Sequence, residues 1–206
     1  MIFRCELLAK LLPDEDAFAD ACAALPEWRK RKCEALRFDA DRRRSVAAWE
    51  LLRRILAERG IRAEKLEVSE NAFGKPAFKP SLGVHFSLSH AGERVMAAVH
   101  DGLVGCDVEQ VASLDGSAAR ECLTDAELES IERLAGPERD RAFVRLWARK
   151  EAYVKAVGRG LGIDPKSISV LRGKLPSDGW RLVDLDFEDD YLGCIVCRES
   201  QKPAEF

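Results

Sequence analysis

Between Val84 and Glu109, three short runs with the alternation of β-strands follow one another with only a tight turn between them. In the first, Val84, Phe86 and Leu88 alternate with His85, Ser87 and Ser89, the period-two pattern of a half-buried strand. Ala91-Gly92-Glu93 then turns the chain into Arg94 to His100, and Asp101-Gly102 turns it into Leu103 to Glu109. Turns this short join antiparallel neighbours, so a three-stranded antiparallel meander is expected.

Around these strands the hydrophobic period becomes helical. Asp14 can cap a helix with Phe18, Cys22 and Leu25 on one face, ended by Pro26. A longer helix is expected from Asp41 to Arg59, with Trp49, Leu52, Ile55 and Leu56 as its apolar stripe and Gly60 past its end. Its opposite face carries Arg42, Arg43, Arg44, Arg53 and Arg54, which alone reads as a solvated face. Gly74-Lys75-Pro76 is a rigid turn. Thr124 to Glu127 forms a capping box before a helix bearing Leu128, Ile131 and Leu134. Pro137 opens a further helix to about Val157, with Phe143, Leu146, Trp147 and Val154 inward and Gly158 at its end. Strand-like stretches follow at Ile168 to Leu171, Trp180 to Phe187 and Tyr191 to Cys197. The expected class is α+β, in two halves in close contact, 1–102 and 103–206, each a small antiparallel sheet packed with helices.

Composition removes several functions. A formal net charge of -3 lacks the basic surplus of a dedicated nucleic-acid binder. No apolar run approaches the roughly 20 residues of a membrane span, and the start of the chain does not resemble a signal peptide, so a cytoplasmic protein is expected. Seven cysteines, an odd and scattered set, argue against a disulfide framework. Cys194 and Cys197 lack a second ligand pair for zinc, and on a strand they point to opposite faces. The three histidines form no metal-binding cluster.

Two segments carry carboxylates in positions that suggest chemistry. In Gly105-Cys106-Asp107-Val108-Glu109, a strand places Asp107 and Glu109 on one face. Two adjacent carboxylates repel unless protonated or bridged by a cation, and hard oxygen donors suit magnesium. Alone, the pair also fits an exposed acidic edge strand. In Trp147-Ala148-Arg149-Lys150-Glu151-Ala152-Tyr153-Val154-Lys155, Glu151 and Lys155 share a helix face. Either they form a surface ion pair with each other, or Glu151 is a metal ligand or base and Lys155 a phosphate partner. Gly158-Arg159-Gly160-Leu161-Gly162 follows a helix, which excludes a dinucleotide fingerprint, and no Walker lysine motif exists.

Taken in order, GKPAF, FSLSH, GCDVE and WARKEAYVKAVGRGL resemble the 4′-phosphopantetheinyl transferases, of the larger single-chain type that activates peptide and polyketide synthases. The resemblance runs from about Arg29 to about Gly162. It implies two similar halves related by pseudo-twofold symmetry, with coenzyme A in the cleft between them and the phosphopantetheine passed to a serine of an acyl- or peptidyl-carrier protein. It implies Asp107, Glu109 and Glu151 as magnesium ligands, Lys155 on the pyrophosphate, and Glu151 and Lys155 as catalytic residues. His90 would meet a phosphate of the nucleotide, Ser89 would belong to the coenzyme A site, and Gly74, Lys75 and Pro76 would line the adenine end. Arg29, Lys32 and Arg44 would hold the 3′-phosphate. Glu151 or a water on the metal would take the serine proton. A monomer is expected, with the carrier docking along Gly158 to about Leu185, where Leu161, Ile163 and Leu171 offer an apolar patch and Arg159 and Lys166 steer association. A catalytically silent coenzyme A-binding module and a metal-dependent phosphohydrolase are the competing readings.

Overall fold

The computed structural model describes residues 1–63, 66–114 and 116–199, with Leu161 described in its backbone alone. In chain order the elements are β1 (Ile2–Leu7), α1 (Leu8–Leu11), α2 (Glu15–Ala23), α3 (Glu27–Glu34), α4 (Asp39–Glu58), β2 (Val68–Glu70), β3 (Pro76–Phe78), β4 (His85–Ala91) and β5 (Arg94–His100). There follow β6 (Leu103–Gln110), α5 (Gly116–Cys122), α6 (Asp125–Glu132), α7 (Gly136–Val157), β7 (Trp180–Phe187) and β8 (Tyr191–Arg198). The architecture is α+β, with small antiparallel sheets packed with helices. One sheet has the order β1-β5-β4 and another β6-β8-β7, while β2 and β3 form a separate hairpin.

The helix caps lie where residue chemistry puts them. Asp14 accepts from Ala17 N–H at 2.8 Å, Thr124 and Glu127 close the capping box, and Gly158 ends α7 with a φ of 77°. Helix α4 starts at Asp39, slightly before the expected Asp41, and Trp49, Leu52, Ile55 and Leu56 are all buried. The short helices α3 and α5 have no counterpart in the sequence reading. In α3, eight residues carry only Trp28 and Cys33 as apolar anchors, so the helical period is barely visible. Part of the arginine face of α4 is also tied down, because Arg53 and Arg54 both pair with the buried Glu50.

Two expectations about strands are overturned. Leu103–Gln110 is not the third strand of a meander: β5 is already hydrogen-bonded to β1 on one edge and β4 on the other, leaving no free edge. The chain therefore leaves the sheet, and β6 pairs with β8. Gly102 N–H donates to the buried His100 Nδ1 at 2.9 Å within this crossing turn. Ile168 to Leu171 is not a strand either. Val170 N–H donates to Glu127 Oε1 at 2.7 Å, and Lys150 Nζ donates to the Pro165 and Ile168 carbonyls. Side chains of α6 and α7 thus satisfy backbone groups that a strand would have paired.

Three apolar clusters hold the layers. Helix α4 packs Val46, Trp49, Leu52 and Ile55 against Phe86, Val95, Ala97 and Val99. Helix α7 packs Ala152, Tyr153, Val154 and Ala156 against Cys194 and Val196. Between the sheets, Met96 and Ala98 of β5 meet Val104, Cys106 and Val108 of β6 and Ile195 and Cys197 of β8. Cys194 and Cys197 fall in different clusters, on opposite faces of β8, and all seven cysteines are free thiols. Because the sheets pack face to face, Ser87 and Ser89 are buried where a half-exposed strand was expected. Ser87 Oγ accepts from Cys106 N–H at 3.0 Å, bridging β4 and β6 through a side chain.

Candidate active site

Gly105 sets the geometry. A Cβ there would stand under 3.0 Å from the Ala152 carbonyl oxygen and from the Ala156 backbone, so only glycine lets α7 lie directly on β6. On that same face of β6, one step and two steps along the pleat, stand Asp107 and Glu109. The helix brings Glu151 and Lys155 to them, and β4 adds Ser89 and His90. All six side chains line one cavity of about 740 Å³.

The rest of the wall comes from elsewhere in the chain. Arg29 and Lys32 of α3 reach it, as do Gly74, Lys75 and Pro76 from the β2–β3 hairpin. Arg44 does not line it: its guanidinium is paired with Asp41 at 2.6 Å and donates to the Gly92 carbonyl at 3.4 Å. Lys32 is paired with Glu70. Arg29 donates to the Ser45 carbonyl at 3.2 Å, while its Nε is buried without a partner. A cavity-lining arginine with a buried guanidinium nitrogen whose hydrogen bond is unmet suits an anion.

Lys155 does not pair with Glu151, although helix spacing allows it. Its Nζ lies 2.6 Å from Asp107 Oδ1 and 3.0 Å from Ser89 Oγ, and Ser89 donates to the same carboxylate oxygen at 2.7 Å. Burial pulls the Lys155 ammonium down, but the charge and hydrogen bond of Asp107 outweigh it, with Cys106 and Glu151 adding to them, and hold the group above the usual lysine range. Asp107 is only 2% exposed, and its other oxygen, Oδ2, is buried with no partner. Burial, with the neighbouring Asp107 charge, pushes Glu109 up to about 7, against the opposing effect of Lys155 and a 3.2 Å hydrogen bond from Trp147 Nε1. Glu151 is also raised by burial. His90 is lowered by burial and by Lys155, Arg44 and Arg29, so it is neutral at pH 7.

Among the described residues, no three carboxylate, histidine or cysteine side chains close into a ready metal-ligand group. The donor chemistry nonetheless fits a hard cation: hard carboxylate oxygens on one wall, including the orphaned Asp107 Oδ2. Sequence reasoning missed Trp147 as a site residue, because a tryptophan in the apolar stripe of a helix reads as core. Its position four residues before Glu151, on the same face, was the available signal. Ile163 and Leu171, expected to offer a docking patch, are half-buried and pack against the α7 cluster, and the side chain of Leu161 lies outside the described residues.

Residues 103–191 match the family model described as the 4′-phosphopantetheinyl transferase superfamily. The chain is 29% identical over 177 residues to the 4′-phosphopantetheinyl transferase psf-1 of Bacillus pumilus, covering 85% of this chain and 74% of that protein. With the 4′-phosphopantetheinyl transferase Sfp of Bacillus subtilis (strain 168) it shares 27% over 173 residues, covering 83% and 74%. With the 4′-phosphopantetheinyl transferase AcpT of Salmonella typhi it shares 38% over 116 residues, covering 54% and 59%. Among solved structures, the holo-(acyl-carrier-protein) synthase of Thermotoga maritima aligns with a TM-score of 0.40 and 24% identity, over 48% of this chain and 64% of that one. The carboxylate strand and the helix that carries Glu151 and Lys155 thus lie within a stretch similar to the 4′-phosphopantetheinyl transferase superfamily, and most of the chain is similar to the 4′-phosphopantetheinyl transferases psf-1 and Sfp.

Proposed function

We propose that the protein transfers the 4′-phosphopantetheine group of coenzyme A to a serine of an apo acyl- or peptidyl-carrier protein, releasing 3′,5′-ADP. The observation that carries this reading is the convergence of Asp107, Glu109, Glu151, Lys155, Ser89 and His90, from three elements, on one cavity. In the reaction the serine Oγ forms a bond to the β-phosphorus. The bond from that phosphorus to the oxygen bridging to 3′,5′-ADP breaks, and its electron pair leaves with the nucleotide. The serine proton passes to a base.

Lys155 supplies the fixed positive charge for the pyrophosphate, because Asp107 and Ser89 pin its ammonium at the cavity wall. Asp107, Glu109 and Glu151 would hold magnesium, which when bound neutralises phosphate charge and steadies the leaving group. Glu151, on the wall four residues from Lys155, is the chain's own candidate acceptor for the serine proton. His90 offers a ring N–H to a phosphate, Ser89 lines the wall beside it, and Gly74, Lys75 and Pro76 line the nucleotide end. Arg29, with its unmet Nε, and Lys32 are the 3′-phosphate candidates on the wall. Arg44 acts from behind them, by its charge on His90.

The two halves, 1–102 and 103–206, are proposed to be related by a pseudo-twofold axis. The support is a repeated order: strand, long helix, then hairpin, with each sheet arranged first-third-second, as β1-β5-β4 and β6-β8-β7. Seven free thiols support a reducing, cytoplasmic setting. The cavity is built within a single chain, which supports action as a monomer.

The test is incubation with coenzyme A, magnesium and a panel of apo-carriers, read by carrier mass and by nucleotide release. A carrier heavier by one phosphopantetheine, with 3′,5′-ADP appearing only when carrier is present, is the expected result. Release without a carrier would indicate a phosphohydrolase. Coenzyme A binding without release for any carrier would indicate a silent module.

A further inference from the structure

The glycine run after α7, which cannot be a nucleotide loop, carries a different occupant. The tip of the β2–β3 hairpin, residues 71–75, is seated on it. Asn71 Nδ2 donates to the Gly158 carbonyl at 2.6 Å, and Asn71 Oδ1 accepts from the backbone N–H groups of Phe73 and Lys75 at 2.9 and 3.0 Å. One asparagine thus shapes the tip and ties it to the end of α7. A Cβ on Gly158 would stand 3.0 Å from Lys75 Cδ, and one on Gly162 would stand 2.9 Å from the Phe73 ring. The glycines make room for the hairpin.

Lys75 completes the contact. Its Nζ donates to the carbonyls of Lys155 at 2.5 Å and Ala156 at 3.4 Å, and to that of Val104 in β6 at 3.1 Å. The last carbonyls of a helix have no intrahelical partner and form the negative end of its dipole, so a buried ammonium satisfies both needs. Burial lowers Lys75 to about 8, which leaves it mostly charged at neutral pH. Lys155 is therefore gripped twice. Lys75 holds its backbone carbonyl from one side, while Asp107 and Ser89 hold its ammonium from the other.

We propose that Asn71 and Lys75 form a clasp that positions Lys155 by fixing the last turn of α7 to β6, with the Gly158–Gly162 run as its seat. This deepens the transferase reading of the cavity and rests on it. On this assignment Lys75 is a positioning residue in addition to any contact it makes with the nucleotide.

Two variants test the clasp. Asn71→Asp keeps the oxygen that shapes the tip but sets an oxygen against the Gly158 carbonyl, and Asn71 does not line the cavity. Lys75→Met keeps the stem and removes the ammonium. Both should speed amide exchange across Val154 to Gly158 while leaving α4 unchanged. Turnover should fall about tenfold, as expected for a misplaced catalytic group, with the KM of Asn71→Asp for coenzyme A within about twofold of wild type. In a Lys155→Ala background the same changes should cause no further loss of residual turnover. Unchanged exchange would overturn the clasp, as would a raised KM with normal turnover or a fully additive loss. If Lys75→Met fails to fold, Asn71→Asp decides alone. Amide exchange does not depend on transfer, so a wild-type protein inactive toward every carrier would count against the transferase reading and still leave the clasp decided by exchange.

Discussion

The Lys155–Asp107 pair joins stability to chemistry within two side chains. Asp107 has 3% side-chain exposure and Lys155 has 30%, so removing the lysine leaves a nearly buried carboxylate beside Glu109 and Glu151. Breaking such a pair is expected to cost about 3 kcal/mol. Lys155→Ala should therefore lower both Tm and turnover, whereas the double variant Lys155→Ala/Asp107→Ala should recover much of the Tm and none of the turnover. Equal Tm losses in the single and double variants would mean that the pair contributes nothing as a pair. His90 gives a pH signature. Its imidazole is held neutral at pH 7, and a bound phosphate favours the imidazolium, so binding takes up a proton. Affinity for coenzyme A is expected to rise as pH falls from about 7 to about 5.5, and His90→Asn should flatten that part of the profile. Titration calorimetry over this range, with both proteins, reads the difference.

At the scale of elements, the contact of α7 with β6 decides whether a site exists. Gly105 is where they meet, and the clash a methyl group would make there is with helix backbone, which cannot rotate away. Gly105→Ala should force the two elements apart and cost roughly 3 kcal/mol or more, the upper range for overpacking. Thermal melting should show it, and transfer should fall further than stability alone explains, because Glu151 and Lys155 move with the helix. A second buried pair fixes the other side of α7. Lys150 and Glu127, 1% and 0% exposed, are 2.7 Å apart, and together they satisfy the Thr124 and Val170 N–H groups and the Pro165 and Ile168 carbonyls. The capping box and the capture of the segment after α7 are thus one network.

Across the whole molecule, the cluster shared between the sheets makes their folding interdependent. Met96 and Ala98 are fully buried only because β6 and β8 cover them. The tryptophans give separate probes, since Trp28 and Trp49 belong to the cluster under α4 while Trp147 and Trp180 belong to the one under α7. Urea unfolding is expected to give coincident transitions from variants that retain one pair or the other. Two separated midpoints would show that the sheets unfold independently.

Local chemistry was legible in the sequence: the Asp14 and Thr124 caps, Pro137 and Gly158 at the ends of α7, the stripe of α4, and Asp107 and Glu109 sharing a strand face. Each depends on neighbours within a few residues, where covalent geometry and periodicity fix the outcome. Most of the candidate site was legible too, through motifs whose spacing survives in the linear chain. Tertiary structure alone decided that β6 leaves the first sheet, because the edges of β5 are claimed by strands distant in sequence. It alone turned Lys155 from Glu151 to Asp107, left Arg44 off the cavity wall, and set Ile163 and Leu171, half-buried, against the α7 cluster. Those choices depend on which partner lies nearest in space, and helix spacing or residue type carries no information about a partner on another element.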